Sequence, residues 1–229
     1  MVKPVSSDLL IAGGGLAGIV TALEALRAGK SVTIVDRDSP ERFGGLALWA
    51  FGGMMLIDTP LQRRMRIADS PELALNDWLR FGELDPNDEW PVQWARYYVE
   101  HSRTEVHDWL ADEGIKFMPA VNWVERGRFG DGNSVPRYHI TWGTSRELVR
   151  CMVNALHEAN TSGRLAIHHR HRITAVDHQA GEVCGAVAIN EETGEEMRFE
   201  APNVVLAMGG INGSHAECRT NWPRHRPQP

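Results

Sequence analysis

The run Gly13-Gly14-Gly15-Leu16-Ala17-Gly18 constrains this chain more than any other feature. It follows Asp8-Leu9-Leu10-Ile11-Ala12, a short apolar run with the look of a buried strand. It opens Leu16 to Ala28, where Leu16, Ile19, Leu23 and Leu26 fall on one side and Gly29 stands as the stop. Ser31-Val32-Thr33-Ile34-Val35-Asp36 then reads as a second, β-branched strand ending in an acid. A strand, a helix and a strand in so short a stretch make a right-handed crossover, so the two strands are expected to lie parallel.

Gly13, Gly15 and Gly18 occupy the three fixed places of G-x-G-x-x-G, and each place carries its own demand. Gly13 allows the tight turn out of the strand, Gly15 lets a pyrophosphate approach the backbone, and Gly18 lets helix and strand pack closely. The phosphates then face the positive end of the helix that begins near Leu16. Asp36, eighteen residues past Gly18, can accept hydrogen bonds from both hydroxyls of an adenosine ribose. This opening fits FAD and NAD equally well. A second glycine cluster, Gly44-Gly45 with Gly52-Gly53, comes directly after the second strand, where a nicotinamide domain would place a helix. Glycines let a backbone lie flat against a planar ring, and Leu46, Leu48, Trp49, Phe51 and Met54 offer dry walls for a flavin. The same glycines would also permit close packing of strands, and the residues alone leave both readings open.

Further along, Ser70 to Gly82 reads as a helix with Ser70 as N-cap, Pro71 at the first position and Glu72 in the first turn. Pro91 to Glu113 reads as a longer one, with Trp94, Tyr97, Tyr98, Val106, Trp109 and Leu110 as apolar faces and Gly114 as terminator. Residues 117–144 look loop-rich, with Gly127, Gly130, Gly132 and Pro136. Ser145 to Ala159 is a further helix with the stripe Leu148, Met152, Ala155, Leu156. Short strands follow at about 164–168, 171–177, 183–190 and 195–200, the last two as an antiparallel hairpin. Asn203-Val204-Val205-Leu206-Ala207 is a final buried strand running into Gly209-Gly210.

Composition narrows the partners. Against 24 Lys and Arg stand 30 Asp and Glu, a net charge of −6, which argues against nucleic acid or an anionic membrane. The longest uncharged stretch near the middle, Gly44 to Ile57, is broken by four glycines and too short to span a bilayer. Cys151, Cys184 and Cys218 are odd in number and form no C-x-x-C pair, so a reducing, cytoplasmic location is expected and a structural zinc site is not. His168-His169-Arg170-His171 lacks a suitably spaced Cys or carboxylate and reads as a solvated strand end, with no metal assigned. Tyr138 and His139 could serve as proton relay groups beside a substrate, or equally as a packed tyrosine and a hydrogen-bonded loop histidine. The tryptophans at 78, 90, 94, 109 and 123, at helical spacing, read as core.

The motifs taken together resemble the FAD-binding dehydrogenases of the fumarate reductase and ketosteroid dehydrogenase type. The matching pieces are Gly13–Gly18 with Asp36, the Gly44–Gly53 segment, Asp69-Ser70-Pro71-Glu72, and Trp109-Leu110 ahead of Glu113-Gly114-Ile115. Gly132-Asn133-Ser134-Val135-Pro136-Arg137, His139-Ile140-Thr141-Trp142-Gly143 and Val204-Val205-Leu206-Ala207-Met208-Gly209-Gly210 complete them, and the similarity runs from about residue 6 to 222. The resemblance implies FAD as cofactor. It implies that Gly13, Gly15 and Ala17, with Gly14, Leu16 and Gly18 around them, hold the pyrophosphate, and that Asp36, beside Arg37, holds the ribose. Gly44, Gly45, Leu46, Ala47, Gly52 and Gly53 would lie along the flavin half, Ile173 would offer backbone groups to adenine, and Ala207 and Gly209 would return the last strand to the cofactor. Many relatives carry polar side chains at the positions of Leu46 and Ala47, whereas these two leave only backbone groups for the flavin's polar edge.

Relatives continue well past the Gly209-Gly210 turn, so the resemblance implies an amino-terminal portion, with the principal catalytic residues and a sheet-completing element elsewhere. The expected fold is α/β: a Rossmann-like FAD-binding domain over 1–222 with a parallel sheet, an antiparallel β-meander inserted at about 164–202 and a helical excursion at about 60–115. Residues 223–229 would form an irregular tail. The expected function is FAD-dependent oxidation or reduction of a C–C bond next to a carbonyl in a steroid-like or dicarboxylate-like small molecule. The competing reading is a non-catalytic nucleotide-binding or partner-binding remnant, and an NAD-binding domain is a third that leaves the Gly44–Gly53 cluster without a role.

Overall fold

The computed structural model describes residues 5–85, 87–123 and 132–210. Gly127, Gly130, Cys218 and the tail at 223–229 lie outside the described residues. The chain divides into two compact units, one formed by Met1–Gly45 with Ala159–Pro229 and the other by Leu46–Glu158.

The first unit is built on the crossover expected from the sequence. Strands β1 (Val5–Ser6) and β2 (Leu9–Ala12) precede helix α1 (Leu16–Arg27) and strand β3 (Val32–Val35). Later in the chain, β7 (Leu165–His168), β8 (His171–Gln179), β9 (Glu182–Asn190), β10 (Glu196–Glu200) and β11 (Val204–Leu206) join the same unit. Four strands form a wholly parallel sheet in the order β11-β2-β3-β7, with Ile11 opposite both Val205 and Ile34. β3 is buried at every position, as a parallel strand covered on both faces must be. Helix α1 turns Ile19, Ala22, Leu23 and Leu26 inward.

A second sheet, β1-β10-β9-β8, is antiparallel except for β1 beside β10. Alternate residues of β9 and β10, namely Ala186, Ala188 and Phe199, pack with Ala201 against Leu10 and Val35 of the parallel sheet. Burying side chains such as Leu10 and Phe199 contributes roughly 1.5–3 kcal/mol each. The strand at 164–168 is not part of the meander: β7 pairs in parallel with β3, in register Val32↔Leu165 to Val35↔His168. A four-residue strand carries no local mark of its partner, so its neighbours in sequence suggested the wrong sheet. The meander itself begins at His171.

The second unit holds β4 (Gly53–Met55), α2 (Pro60–Arg64), α3 (Pro71–Phe81), α4 (Glu89–His101), α5 (Trp109–Asp112), β5 (Phe117–Asn122), β6 (Tyr138–Thr141) and α6 (Thr144–Ala159). Helix α3 begins as expected: Ser70 caps it by accepting the Leu73 amide at 3.1 Å, with Pro71 at the first position. The helix expected over 91–113 is interrupted, because Ser102–Asp108 winds as a π-helix between α4 and α5. Its inward stripe is also different. Ala95 and Val99 pack with Ile57, Ala74 and Leu75, and Trp78, Leu79 and Tyr98 lie partly buried against them, while Trp90, Trp94 and Tyr97 are exposed. Small residues let α3 and α4 approach closely, and that geometry outweighs the greater hydrophobicity of tryptophan. The segment expected to be loop-rich contributes β5 and β6 to a three-stranded antiparallel sheet, β4-β6-β5. Among the described residues no helix is long and apolar enough to cross a membrane.

Candidate functional site

In the first unit the fingerprint loop is held by backbone. The Gly13 amide donates to the Val35 carbonyl at 2.8 Å, and a β-carbon on Gly13 (φ +106°) would overlap the Ala207 carbonyl at the end of β11. A β-carbon on Gly18 would overlap the Gly13 carbonyl, so these two glycines are demanded by the protein's own packing. Gly15 is different. It is the N-cap of α1 at φ −77° and ψ 179°, with no side-chain cap, and no atom lies within 4 Å of where its β-carbon would stand. No acidic residue occupies the first turn of α1, and Ala17 there is exposed. An open, uncapped helix N-terminus of this kind presents amides and positive potential to an anion, and its shape fits a diphosphate.

Asp36 stands at the other side of this loop, nearly buried. Its Oδ2 accepts the Gly14 amide and its Oδ1 accepts the Asp38 amide at 2.7 Å. A carboxylate keeps about four acceptor positions, so two backbone donors leave capacity for ribose hydroxyls. The start of β8 is tied to the same place, because the His171 amide donates to the Asp36 carbonyl at 2.9 Å. Ile173 follows two residues on, in the outer strand of its sheet, with its side chain packed on the core beside Ala188. Arg37 turns outward, and its Nε lies 2.9 Å from Glu191 Oε2. Ala207 continues the ladder, donating its amide to the Ala12 carbonyl at 2.8 Å, and Gly209 is exposed at φ +78°.

Phe43 joins the site without a motif of its own. Its buried ring closes over Gly14, where a β-carbon would strike it, and meets His169 edge-on with ring centres 5.3 Å apart. An aromatic directly before Gly44-Gly45 was the available signal. The Gly44 amide donates to the Gly14 carbonyl at 2.8 Å, and a β-carbon on Gly45 would come within 3.4 Å of the Gly15 Cα. The first glycine pair therefore lies backbone to backbone on the fingerprint loop. His168 packs edge-on against Phe199. Among the described residues no group of three or more His, Cys, Asp or Glu could hold a metal ion.

In the second unit, Leu46, Trp49 and Phe51 are 74%, 73% and 61% exposed, an apolar surface of the sort that takes a ligand or another surface. Ala47 is half-buried. Gly52 (φ +80°) and Gly53 are explained internally. A β-carbon on Gly52 would meet Thr141 and lie 2.5 Å from the Ser145 amide nitrogen, and one on Gly53 would overlap the Tyr138 ring.

The pieces around 69–77 and 132–141 form one buried polar network. The Arg137 guanidinium is fully buried; it donates from Nε and Nη2 to Asp69 at 2.9 and 2.8 Å, and from Nη1 to Asp77 at 2.6 Å and to Asn133 at 2.8 Å. Asp77 also accepts the Ser134 amide and hydroxyl at 2.7 and 2.6 Å. Burial opposes the charge on Asp77, but the hydrogen bonds from Ser134 and Arg137 prevail and hold its carboxyl below the usual range. Gln62 completes a capping box with Thr59 and donates to Asp69 at 2.9 Å.

His139 belongs to this scaffold. Its ring is fully buried, with Nε2 2.8 Å from Thr59 Oγ1 and Nδ1 2.8 Å from the Arg137 carbonyl oxygen, so it is not open to act as a relay group. Burial pushes its pKa down, against the Arg137 carbonyl, which pulls it up. A histidine kept neutral in the fold but protonated in the unfolded chain weakens the fold as pH drops below the ordinary histidine value of about 6.5. Denaturation at a series of pH values should show stability falling below that point. His139→Gln should flatten the fall but not abolish it, since burial also lowers His168 and His169. An unchanged slope in the variant would remove His139 from the account.

A parallel sheet, a glycine-paved turn into an uncapped helix and an acid at the end of the next strand define a dinucleotide-binding α/β protein. The family model described as "FAD binding domain" matches residues 8–228, so the chain belongs to that family, and its cofactor is FAD. A KsdD-like steroid dehydrogenase of Mycolicibacterium smegmatis is 40% identical over 234 residues, covering 95% of this chain and 42% of that protein. Among solved structures, the 3-ketosteroid-Δ4-(5α)-dehydrogenase of Rhodococcus jostii RHA1 matches with a TM-score of 0.73 and 24% identity, covering 90% of this chain and 46% of the other. The open conformation of a flavocytochrome c3 fumarate reductase matches at 0.71 and 26%, covering 91% and 34%. The chain thus spans about two fifths of the length of the steroid dehydrogenase it matches.

Proposed function

We propose that this chain supplies the FAD seat of a flavin-dependent oxidoreductase acting on a C–C bond next to a carbonyl. The open N-terminus of α1 at Gly15 is the observation that carries the reading. Gly13, Gly14, Gly15, Leu16, Ala17 and Gly18 surround the pyrophosphate, and Asp36 grips the ribose with Arg37 beside it. Gly44, Gly45, Leu46, Ala47, Gly52 and Gly53 run along the flavin half, Ile173 offers backbone groups to adenine, and Ala207 and Gly209 bound the far side. Residues 1–222 act together as the FAD-binding domain. FAD, when bound, accepts or donates hydride; the chain's own residues bind and orient it.

The substrate is a small molecule of steroid-like or dicarboxylate-like type, the classes named in the steroid dehydrogenase and fumarate reductase relatives. A cytoplasmic location is part of the reading and rests on cysteine usage. The test is binding: FAD titrated onto the purified chain should saturate with a perturbed flavin band and a quenched flavin emission. A flavin spectrum that the chain leaves unchanged would count against the seat. Asp36→Ala should weaken FAD binding by roughly 1–3 kcal/mol, the size of a charge-assisted hydrogen bond, as read by FAD titration. An unchanged dissociation constant would take the ribose role from Asp36.

A further inference from the structure

Neighbouring residues of β6 point to opposite faces of the small sheet, and their side chains are engaged very differently. On one face His139 is buried, with both ring nitrogens hydrogen-bonded. On the other, Tyr138 stands opposite Met55, and Ile140 opposite Gly53. A β-carbon at Gly53 would run into the Tyr138 Cζ, Cε2 and hydroxyl, so the phenol ring lies directly on the Gly53 backbone.

The Tyr138 hydroxyl has no hydrogen-bond partner among the described residues, and it is not one of the buried unpaired atoms, so solvent or a ligand reaches it. The chain has three tyrosines, and the other two are engaged: Tyr97 donates to Glu105 at 2.8 Å, and Tyr98 donates to the Met55 carbonyl at 2.8 Å. A phenylalanine would cover Gly53 equally well, so packing gives no reason for this hydroxyl. Leu46 and Ala47, which precede β4, provide no side-chain hydrogen bond.

We propose that Tyr138 contacts the cofactor, its ring covering Gly53 so that the flavin meets the phenol, and its hydroxyl donating to a polar atom on the edge of the isoalloxazine ring. The proposal rests on the placement of the flavin half along residues 46–53 made above. It gives Gly53, within that stretch, the task of seating the Tyr138 ring.

The experiment uses the full chain, first without substitution. Tetranitromethane nitration followed by peptide mapping, with and without FAD, should show Tyr138 modified in the free chain and at least about fivefold protected when FAD is bound, while Tyr97 is unaffected. Independently, Tyr138→Phe should raise the fluorescence of bound FAD severalfold, because the phenol is an electron donor that quenches an adjacent flavin and a phenyl ring is not. Equal nitration of Tyr138 with and without FAD, or identical bound-flavin emission in parent and variant, overturns the proposal. A parent chain that takes up no FAD at all overturns the reading beneath it, which separates the two failures.

Discussion

Gly15→Val is expected to leave the fold standing and remove the cofactor. The backbone at Gly15 is extended, at φ −77° and ψ 179°, a conformation valine adopts without strain, and nothing lies within 4 Å of the new β-carbon. Valine is a poor N-cap, but Gly15 offers no side-chain cap to lose, so the cost to the fold is about 1 kcal/mol or less. The isopropyl group would stand where the diphosphate must approach the amides of α1, and affinity for FAD should fall by about 100-fold or more, some 2.7 kcal/mol. FAD titration and a denaturation curve on one preparation check both halves of the expectation. Normal flavin content would show that the diphosphate lies elsewhere. Gly18→Val should behave oppositely and fail to fold, because its side chain would enter the Gly13 carbonyl.

Arg137→Met is expected to destabilise the chain by about 3–5 kcal/mol, because it strands buried carboxylates rather than merely losing a contact. Asp69 and Asp77 are 0% and 1% exposed in their side chains, and Arg137 faces both. Methionine would fill much of the volume while taking the Arg137 cation from Asp69 and leaving Asp77 with Arg80, whose Nη2 lies 2.8 Å from Asp77 Oδ1. Acid should partly relieve the variant, since protonating Asp77 lowers the negative charge left in excess once Arg137 is gone. Urea unfolding near neutral pH reads the loss, and a change below about 1 kcal/mol would place this network with surface ion pairs in energetic terms.

The parts of the fold that were legible in the sequence are those encoded locally. Leu9–Ala12, the fingerprint glycines, Leu16–Arg27 and Val32–Val35 lie within one stretch, and each element carries its own start or stop. What was not legible depends on distant partners. β6 looks like loop because Pro136 and Gly143 flank it, and its strand character comes from pairing with Gly53–Met55 and Phe117–Asn122, far away in sequence. β7 reads locally as a meander strand, and only its pairing with β3 places it in the parallel sheet. Arg137, Asp69 and Asp77 carry charges that normally mark a surface, and only the tertiary structure shows them satisfying one another. In the candidate site, Gly15 and Asp36 announced themselves by spacing. The glycines at 52 and 53 did not reveal that Thr141 and Tyr138 would occupy the space above them.

The most direct test of the central claim is flavin stoichiometry. The purified chain is reconstituted with excess FAD, freed of unbound cofactor, and its flavin absorbance compared with protein concentration. Close to one FAD per chain is expected for the parent, and almost none for Gly15→Val. A colourless parent that still binds ADP would contradict the account, because it would show a nucleotide site at the fingerprint loop with no seat for the flavin.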